Sequence, residues 1–201
     1  MTEETSTLIV PNDEYLKAGI HIGTKFRTKY MSNFIYKTRS DGLSVLNIQA
    51  IDERLKLAAK MLSHYAPEDI LVVCRRETGV KPVQMFGKAT GAKVFAGRYP
   101  PGTMTNPALK YYTEAKIMLE GDAWPDKNAV DDALKAGIPV IALCDTNNQS
   151  NNIDLVIPCN NKGKKSLGLV FWVLAKLYME YRGLSNKGQA FGYSIDDFSE
   201  E

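Results

Sequence analysis

The sequence Ile70-Leu71-Val72-Val73-Cys74 is a short and unbroken run of apolar residues. Strands that are covered on both faces have this pattern, because side chains pointing in either direction meet a packed layer. A second run of the same kind lies at Val140-Ile141-Ala142-Leu143-Cys144. The two runs therefore predict two inner strands of a parallel sheet with helices on both faces.

Helical and extended patterns alternate along the rest of the chain. Apolar residues three and four apart predict a helix from Ile51 to about Tyr65. A turn signal at Ser40-Asp41-Gly42 predicts a strand, a turn and a second strand between residues 34 and 48. Further helices are expected at 79–90, 126–136 and 166–182, and further strands at 93–96, 115–119 and 155–157. Such alternation requires crossover connections, so we predict a three-layer α/β domain with a mostly parallel central sheet of about five strands.

The composition is that of a folded protein. Of the 201 residues, 44% are hydrophobic and 24% are charged, which excludes a mostly disordered chain. No run approaches the roughly 18 apolar residues of a membrane helix, and the first residues lack the features of a secretory signal. The three cysteines are far apart and predict reduced thiols in a cytoplasmic protein. We expect an acidic N-terminal arm (1–14), a single α/β domain (15–182) and a flexible acidic C-terminal tail (183–201).

The formal net charge of +2 hides a strong segregation of charge along the chain. Residues 15–40 carry six basic residues and no acid, and residues 75–110 carry seven basic residues against one acid. Residues 113–145 carry seven acids against three bases. Long blocks of one sign predict a basic surface that faces a polyanion, although charges scattered over a solvated surface are the alternative. We expect the acids of 113–145 at solvated positions, where they could face neighbouring proteins.

The basic block 25–39 interleaves lysine and arginine with phenylalanine and tyrosine. Cationic side chains neutralise phosphates, and aromatic rings stack on unpaired bases, so the pattern favours RNA binding. The same alternation is also typical of a half-buried strand with its basic side chains outward. The two interpretations are compatible.

Motifs for enzymatic chemistry are weak in this sequence. No glycine-rich dinucleotide fingerprint follows a strand, and the Lys162–Ser166 loop has Pro158 where a nucleotide-binding phosphate loop requires glycine. The cysteine spacing does not fit a zinc site, so we expect no metal and no cofactor. A small-ligand or enzyme site near Thr146, Asn147 and the Gly163 loop remains an alternative, with Asp145 as its candidate acid.

Three stretches resemble motifs of a known family. They are Tyr15–Gly23, Arg98–Pro107, and Gly137–Asn147 with its continuation through residues 153–160. The family is that of small-subunit ribosomal protein two, and the resemblance spans residues 15–182. The chain lacks the charged helical hairpin that bacterial members insert before Asp69. It therefore resembles the archaeal type, which is related to the eukaryotic laminin-receptor-like ribosomal protein.

The resemblance implies a flavodoxin-like fold without enzymatic activity, small-molecule substrate or cofactor. It implies a structural constituent of the small ribosomal subunit that binds small-subunit rRNA, contacts neighbouring ribosomal proteins and supports assembly and translation in the cytoplasm. A membrane partner is not expected. The candidate RNA-binding residues are Lys25, Arg27, Lys29, Tyr30, Lys37, Arg39, Arg75, Arg76, Arg98, Thr103, Thr105, Asn106, Lys162, Lys164 and Lys165.

Overall fold

A computed structural model describes residues 8–184 and 191–199 of the chain. Its strands are β1 (Ile35–Thr38), β2 (Ser44–Leu46), β3 (Ile70–Cys74), β4 (Lys93–Ala96), β5 (Ile117–Glu120), β6 (Val140–Cys144) and β7 (Leu155–Pro158). The first two strands form an antiparallel hairpin. The other five form one sheet in the order β4-β3-β5-β6-β7, and every neighbouring pair in it is parallel. This confirms the predicted five-stranded parallel sheet.

The helices lie between these strands, close to where the sequence predicts them. They are α1 (Asn12–Ala18), α2 (Ile48–Ser63), α3 (Glu77–Thr90), α4 (Lys127–Ala136), α5 (Lys164–Tyr181) and α6 (Ile195–Phe198), with single 3-10 turns at Met31–Phe34 and Pro67–Asp69. The apolar spacing that begins at Ile51 marks the buried face of α2. Within the described part of the chain, none of these helices has the length and apolar character to cross a membrane.

The sheet is covered on both faces. Along β3, Ile70, Val72 and Cys74 pack into the cluster that contains α2, α3 and α5. The intervening Leu71 and Val73 pack into a second cluster with α4. All five residues of β3 are fully buried, which explains their unbroken apolar sequence. The three layers confirm the predicted flavodoxin-like arrangement.

The strand order determines which loops meet. β4 follows β3 in the chain and lies on one side of it, whereas the next strand, β5, lies on the other side of β3. The direction of the crossovers therefore reverses between β3 and β5. Because all five strands are parallel, the loops that follow them emerge at one edge of the sheet. We call this the carboxyl edge, and it comprises residues 75–76, 97–98, 121–126, 145–152 and 159–163. Ligands of open α/β sheets bind at this edge.

The C-terminal segment 191–199 packs against α5. Phe198 is fully buried, and the indole N–H of Trp172 donates a hydrogen bond to the Tyr193 carbonyl at 2.8 Å. This part of the chain is therefore not the free tail that its acidic composition predicts. The division into an arm, a domain and a tail stays a prediction. Residues 1–7, 185–190 and 200–201 of the predicted arm and tail lie outside the described residues.

The three cysteines are buried free thiols, as the sequence predicts. Burial raises the pKa of the Cys74 thiol to about 12, so it stays protonated at neutral pH. Its sulfur fills space that two glycines leave open. A Cβ atom added at Gly121 would lie 2.6 Å from the Cys74 sulfur, and one added at Gly79 would lie closer still. Close packing of α3 on β3 thus requires glycine at residue 79.

We expect Gly79→Ala to lower the free energy of unfolding by about 1–3 kcal/mol, because its methyl group overlaps the Cys74 sulfur. In a Cys74→Ala background the conflict is gone, since the other neighbours of that methyl group lie at 3.6 Å. In that background, Gly79→Ala should leave the free energy of unfolding almost unchanged. Urea unfolding of the four proteins of this double-mutant cycle measures the coupling, and an equal penalty in both backgrounds would contradict the packing described.

Candidate nucleic-acid interface

Residues 19–30, which we call the strap, cross the carboxyl edge of the sheet. Asn160, which follows β7, donates its backbone N–H to the Ile20 carbonyl at 2.9 Å. Further along, the Thr28 N–H donates to the carbonyl of Thr146 at 2.9 Å, and the Thr28 hydroxyl donates to the carbonyl of Asn148 at 3.0 Å. The strap is therefore fixed to the loops that follow β7 and β6.

The hydroxyl of Thr146 lies at the centre of this attachment. It accepts the Thr24 N–H at 2.9 Å and donates to the Phe26 carbonyl at 3.0 Å, and the residue is fully buried. A Cβ atom on Gly23 would lie 2.5 Å from the Thr146 methyl carbon and 3.0 Å from the Ser44 carbonyl oxygen. Only glycine fits where the strap passes this close, which gives a physical reason for the second glycine of the 15–23 motif.

The strap carries the first basic residues to this edge. Lys25, Arg27, Lys29 and Tyr30 are all exposed, and residues 25–30 form a loop. The interpretation of this stretch as a half-buried strand is thus wrong for residues 25–30. The Arg27 guanidinium donates to the Thr38 hydroxyl at 3.4 Å, which places the loop against the β1–β2 hairpin.

The hairpin adds cations to the same region. Lys37 on β1 and Arg39 just after it are exposed. Arg39 has one partner among the described residues, Asp41 at 3.5 Å, and exposed pairs of this kind are weak. Its guanidinium is therefore available to a stronger anion.

The remaining predicted cations follow three other strands. Arg75 and Arg76 follow β3, Arg98 follows β4, and residues 162–165 follow β7. The parallel sheet therefore brings segments that are far apart in sequence to the carboxyl edge. Arg75, Arg98, Lys164 and Lys165 are exposed there, whereas Arg76 and Lys162 are half-buried.

The predicted threonine and asparagine contacts do not share this surface. The loop that contains them runs over α4, where the Gly102 N–H donates to Asp132 at 2.7 Å. Thr103 is fully buried and donates its hydroxyl to the Pro100 carbonyl at 2.6 Å, so its assignment as an RNA contact is not supported. Thr105 and Asn106 are exposed but lie on the α4 side of the molecule.

The acidic block 113–145 is largely buried, which corrects the expectation of a solvated acidic surface. Five of its seven acids are nearly inaccessible to solvent, namely Glu120, Asp122, Asp126, Asp132 and Asp145. Buried carboxylates need hydrogen-bond donors or cations close by. Asp126 accepts the Arg75 N–H at 2.8 Å, and Asp132 accepts the N–H of Gly102.

Two of these carboxylates pair with basic side chains that the sequence analysis predicts to bind RNA. The Arg76 guanidinium donates through Nε to Asp122 at 2.5 Å, and a second nitrogen of the same group pairs with the same carboxylate oxygen. The Lys162 ammonium contacts Asp145 at 2.7 Å and the Asn147 side-chain oxygen at 3.0 Å. Because removing a cation would leave a buried carboxylate unpaired, Arg76 and Lys162 stabilise the edge and are not free to bind phosphate.

Asparagine side chains connect the loops, and sequence reasoning missed them. Asn148 donates to Asp122 at 2.8 Å, while its oxygen accepts the Asp145 N–H at 2.9 Å and the Asn161 amide at 3.2 Å. Both asparagines are buried. The available signal was the position of Asn148 in a polar stretch just after a predicted inner strand, because polar groups that are buried there need hydrogen-bond partners.

Glu120 differs from the other buried acids of the 113–145 block in its hydrogen bonding. Neither of its carboxyl oxygens has a hydrogen-bond partner among the described residues. Burial raises the pKa of this carboxyl group well above its ordinary range, and the neighbouring Asp126 and Asp122 act in the same direction. Burial also raises the pKa of Asp126 to about 6, although the Arg75 N–H acts in the opposite direction.

The candidate acid of the alternative active site is not accessible at this edge. Asp145 is fully buried and paired with Lys162, so it lacks access to a substrate. Among the described residues, no group of three or more histidine, cysteine or acidic side chains could hold a metal ion. The fold and this edge define an α/β protein of the flavodoxin-like class whose ligand-binding edge is occupied by its own strap and by exposed cations.

Comparison with known proteins gives the family. A family model described as Ribosomal protein S2 matches residues 15–120 and 113–180. Small ribosomal subunit protein uS2 of Nanoarchaeum equitans is 51% identical over 190 residues, which is 94% of each chain. The protein of the same name from Thermoplasma acidophilum is 44% identical over 95% of this chain and 96% of its own length. This chain belongs to the ribosomal protein S2 family, and the archaeal relatives confirm the predicted type.

Thr146→Val tests the attachment of the strap. The substitution keeps the shape of the side chain but leaves the Thr24 N–H without its acceptor and removes one of the two hydroxyl donors of the Phe26 carbonyl, so we expect a loss of about 1–3 kcal/mol in the free energy of unfolding. Amide exchange at Thr24 should accelerate as well. Thr105→Val, at an exposed position, is the matched control, and equal behaviour of the two variants would show that the Thr146 hydroxyl does not hold the strap.

The raised pKa of Asp126 predicts a dependence of stability on pH. The folded state retains this proton up to about pH 6, whereas the unfolded chain loses it near pH 4. The free energy of unfolding should therefore fall as the pH rises from about 4 to about 6. We expect a smaller fall in Asp126→Asn than in the wild type or in Asp131→Asn, measured by urea unfolding at each pH. An unchanged pH profile in Asp126→Asn would contradict the assignment.

Proposed function

We propose that this chain is a structural component of the small ribosomal subunit and that its carboxyl edge binds small-subunit rRNA. The observation that supports this most directly is the meeting of basic segments from distant parts of the sequence at one edge of the sheet. The relatives that match it over nearly their whole length are named as a small ribosomal subunit protein. The role is structural and not enzymatic, its place is the cytoplasmic ribosome, and the partners are rRNA and neighbouring small-subunit proteins.

The exposed cations at this edge are the proposed phosphate contacts. They are Lys25, Arg27, Lys29, Lys37, Arg39, Arg75, Arg98, Lys164 and Lys165. Each contact with a phosphate displaces a condensed counterion, so the affinity for RNA should decrease steeply as the salt concentration rises. Tyr30 is 42% exposed beside these cations and offers a ring for stacking on an unpaired base.

Rigid presentation distinguishes this surface from a flexible basic tail. The strap is fixed at both ends by hydrogen bonds to the loops after β7 and β6. Its lysines therefore keep their spacing before RNA binds, which reduces the conformational entropy that is lost on binding. A fixed spacing of cations suits the regular spacing of phosphates in folded RNA, where shape is recognised more than sequence.

Charge reversal on the strap tests this function. We expect Lys25→Glu, Arg27→Glu and Lys29→Glu together to prevent incorporation into small subunits without unfolding the protein, because all three side chains are exposed. Incorporation is measured by co-sedimentation of the tagged protein with small subunits, and folding by circular dichroism.

The matched control changes the net charge equally at the opposite edge of the sheet. Lys60, Lys88 and Lys93 are exposed and lie near the ends of α2 and α3 and at the start of β4, where strands begin. Their triple reversal to glutamate should leave incorporation nearly unchanged. Equal incorporation of both triple variants would contradict the role of the carboxyl edge, and equal loss would show that only net charge matters.

A further inference from the structure

A pocket beside the strap has no role in the phosphate contacts described so far. Its volume is about 620 Å³, within the range of roughly 300–1,000 Å³ that is typical of small-ligand sites. It lies between the strap, the loop after β5, the first turns of α4 and the loop after β6. The residues that matter most in its wall are Thr28, Trp124, Lys127, Gln149, Asn151 and Asn152.

Trp124 is the most unusual residue of this pocket. Its side chain is 71% exposed, although water contact with a large aromatic surface is unfavourable. The indole ring makes no ring–ring or cation–ring contact within the described residues. Its backbone is nevertheless fixed, because its N–H donates to Asp122 at 3.1 Å and Pro125 restricts its conformation. The structure thus holds an unpartnered aromatic face at the rim of a pocket.

Three amide side chains lie in the part of the lining that the loop after β6 forms. Gln149, Asn151 and Asn152 are exposed, and across residues 8–184 and 191–199 no hydrogen bond of these side chains is found. Each carries both a donor and an acceptor, as the edges of nucleobases do. The loop that carries them is anchored by the buried Asn148, and Asn152 adopts a left-handed conformation with φ of 62°.

We propose that this pocket binds one unpaired nucleobase of RNA. The base stacks on Trp124, the amides hydrogen-bond to its edge, and Lys127 and the strap cations bind the flanking phosphates. The inference rests on the proposed function and deepens it. A protein side chain is the less favoured occupant, because the lining beside the indole is mostly polar, with several amides, Lys127 and Asp131, and Thr28 of the strap forms one side.

Fluorescence of Trp124 gives the first test. The chain has two tryptophans, so Trp172→Phe leaves Trp124 as the only one. Saturable quenching is expected with a single-stranded octamer of adenosine or uridine, because a stacked base changes the surroundings of the indole. An RNA duplex with the same number of phosphates should quench much less, since its bases are already stacked.

The second test measures the affinity of the full chain for small-subunit rRNA. Trp172 is retained in every variant of this test. Trp124→Ala should weaken binding about 5- to 100-fold, as expected for loss of one stacked base, while the slope of log affinity against log salt stays the same. Trp124→Phe should retain most of the affinity. Tyr111→Ala removes an exposed aromatic ring from the loop over α4 and should have no effect.

The outcomes separate this inference from the proposed function. If the wild type binds rRNA with a steep salt dependence but Trp124→Ala binds equally well, the pocket does not take a base and the proposed function stands. If Trp124→Ala binds rRNA normally and only incorporation into subunits fails, the indole contacts a protein, and the inference is again overturned. If the wild type shows no salt-dependent affinity for small-subunit rRNA, the proposed function fails first.

Discussion

The carboxyl edge of the sheet is closed by the protein's own chain, and the buried hydroxyl of Thr146 holds this closure in place. In open α/β sheets the same edge normally forms the crevice for a small ligand. Here the strap crosses it, and the close approach at Gly23 leaves no space for a side chain. In this protein, the edge that binds a small ligand in other open α/β sheets instead presents exposed basic side chains at fixed positions.

Buried carboxylates provide the second constraint on this edge. Asp122 and Asp126 join the loops after β3 and β5, Asp145 joins those after β6 and β7, and Asn148 connects the two pairs of loops through Asp122. Such pairs contribute little net stability, yet loss of one partner is costly. The basic residues therefore divide into two groups with different roles. Arg76 and Lys162 hold the loops, and the exposed cations of the strap and the hairpin are the proposed phosphate contacts.

The sequence predicted the sheet well because its strands are defined locally. The strands predicted at 70–74, 93–96 and 140–144 became β3, β4 and β6 with the predicted ends. The buried acids could not be predicted in this way, since their partners are distant, as with Asp122 and Arg76, which are 46 residues apart. The packing of Phe198 was missed for a similar reason, because its neighbours lie on α5 while its own surroundings in sequence are acidic. The basic blocks predicted cations that the structure brings to the carboxyl edge, but not that Arg76 and Lys162 pair with buried carboxylates there.

Hydrogen–deuterium exchange of the whole chain, free and bound to small-subunit rRNA, tests the central claim most directly. If the carboxyl edge faces RNA, backbone amides in the strap, in the β1–β2 hairpin and in residues 97–98, 121–126 and 145–152 should exchange more slowly in the complex. Amides near Lys60, Lys88 and Lys93 should be unaffected. Protection at the amino ends of the strands, with none at the strap, would contradict the account.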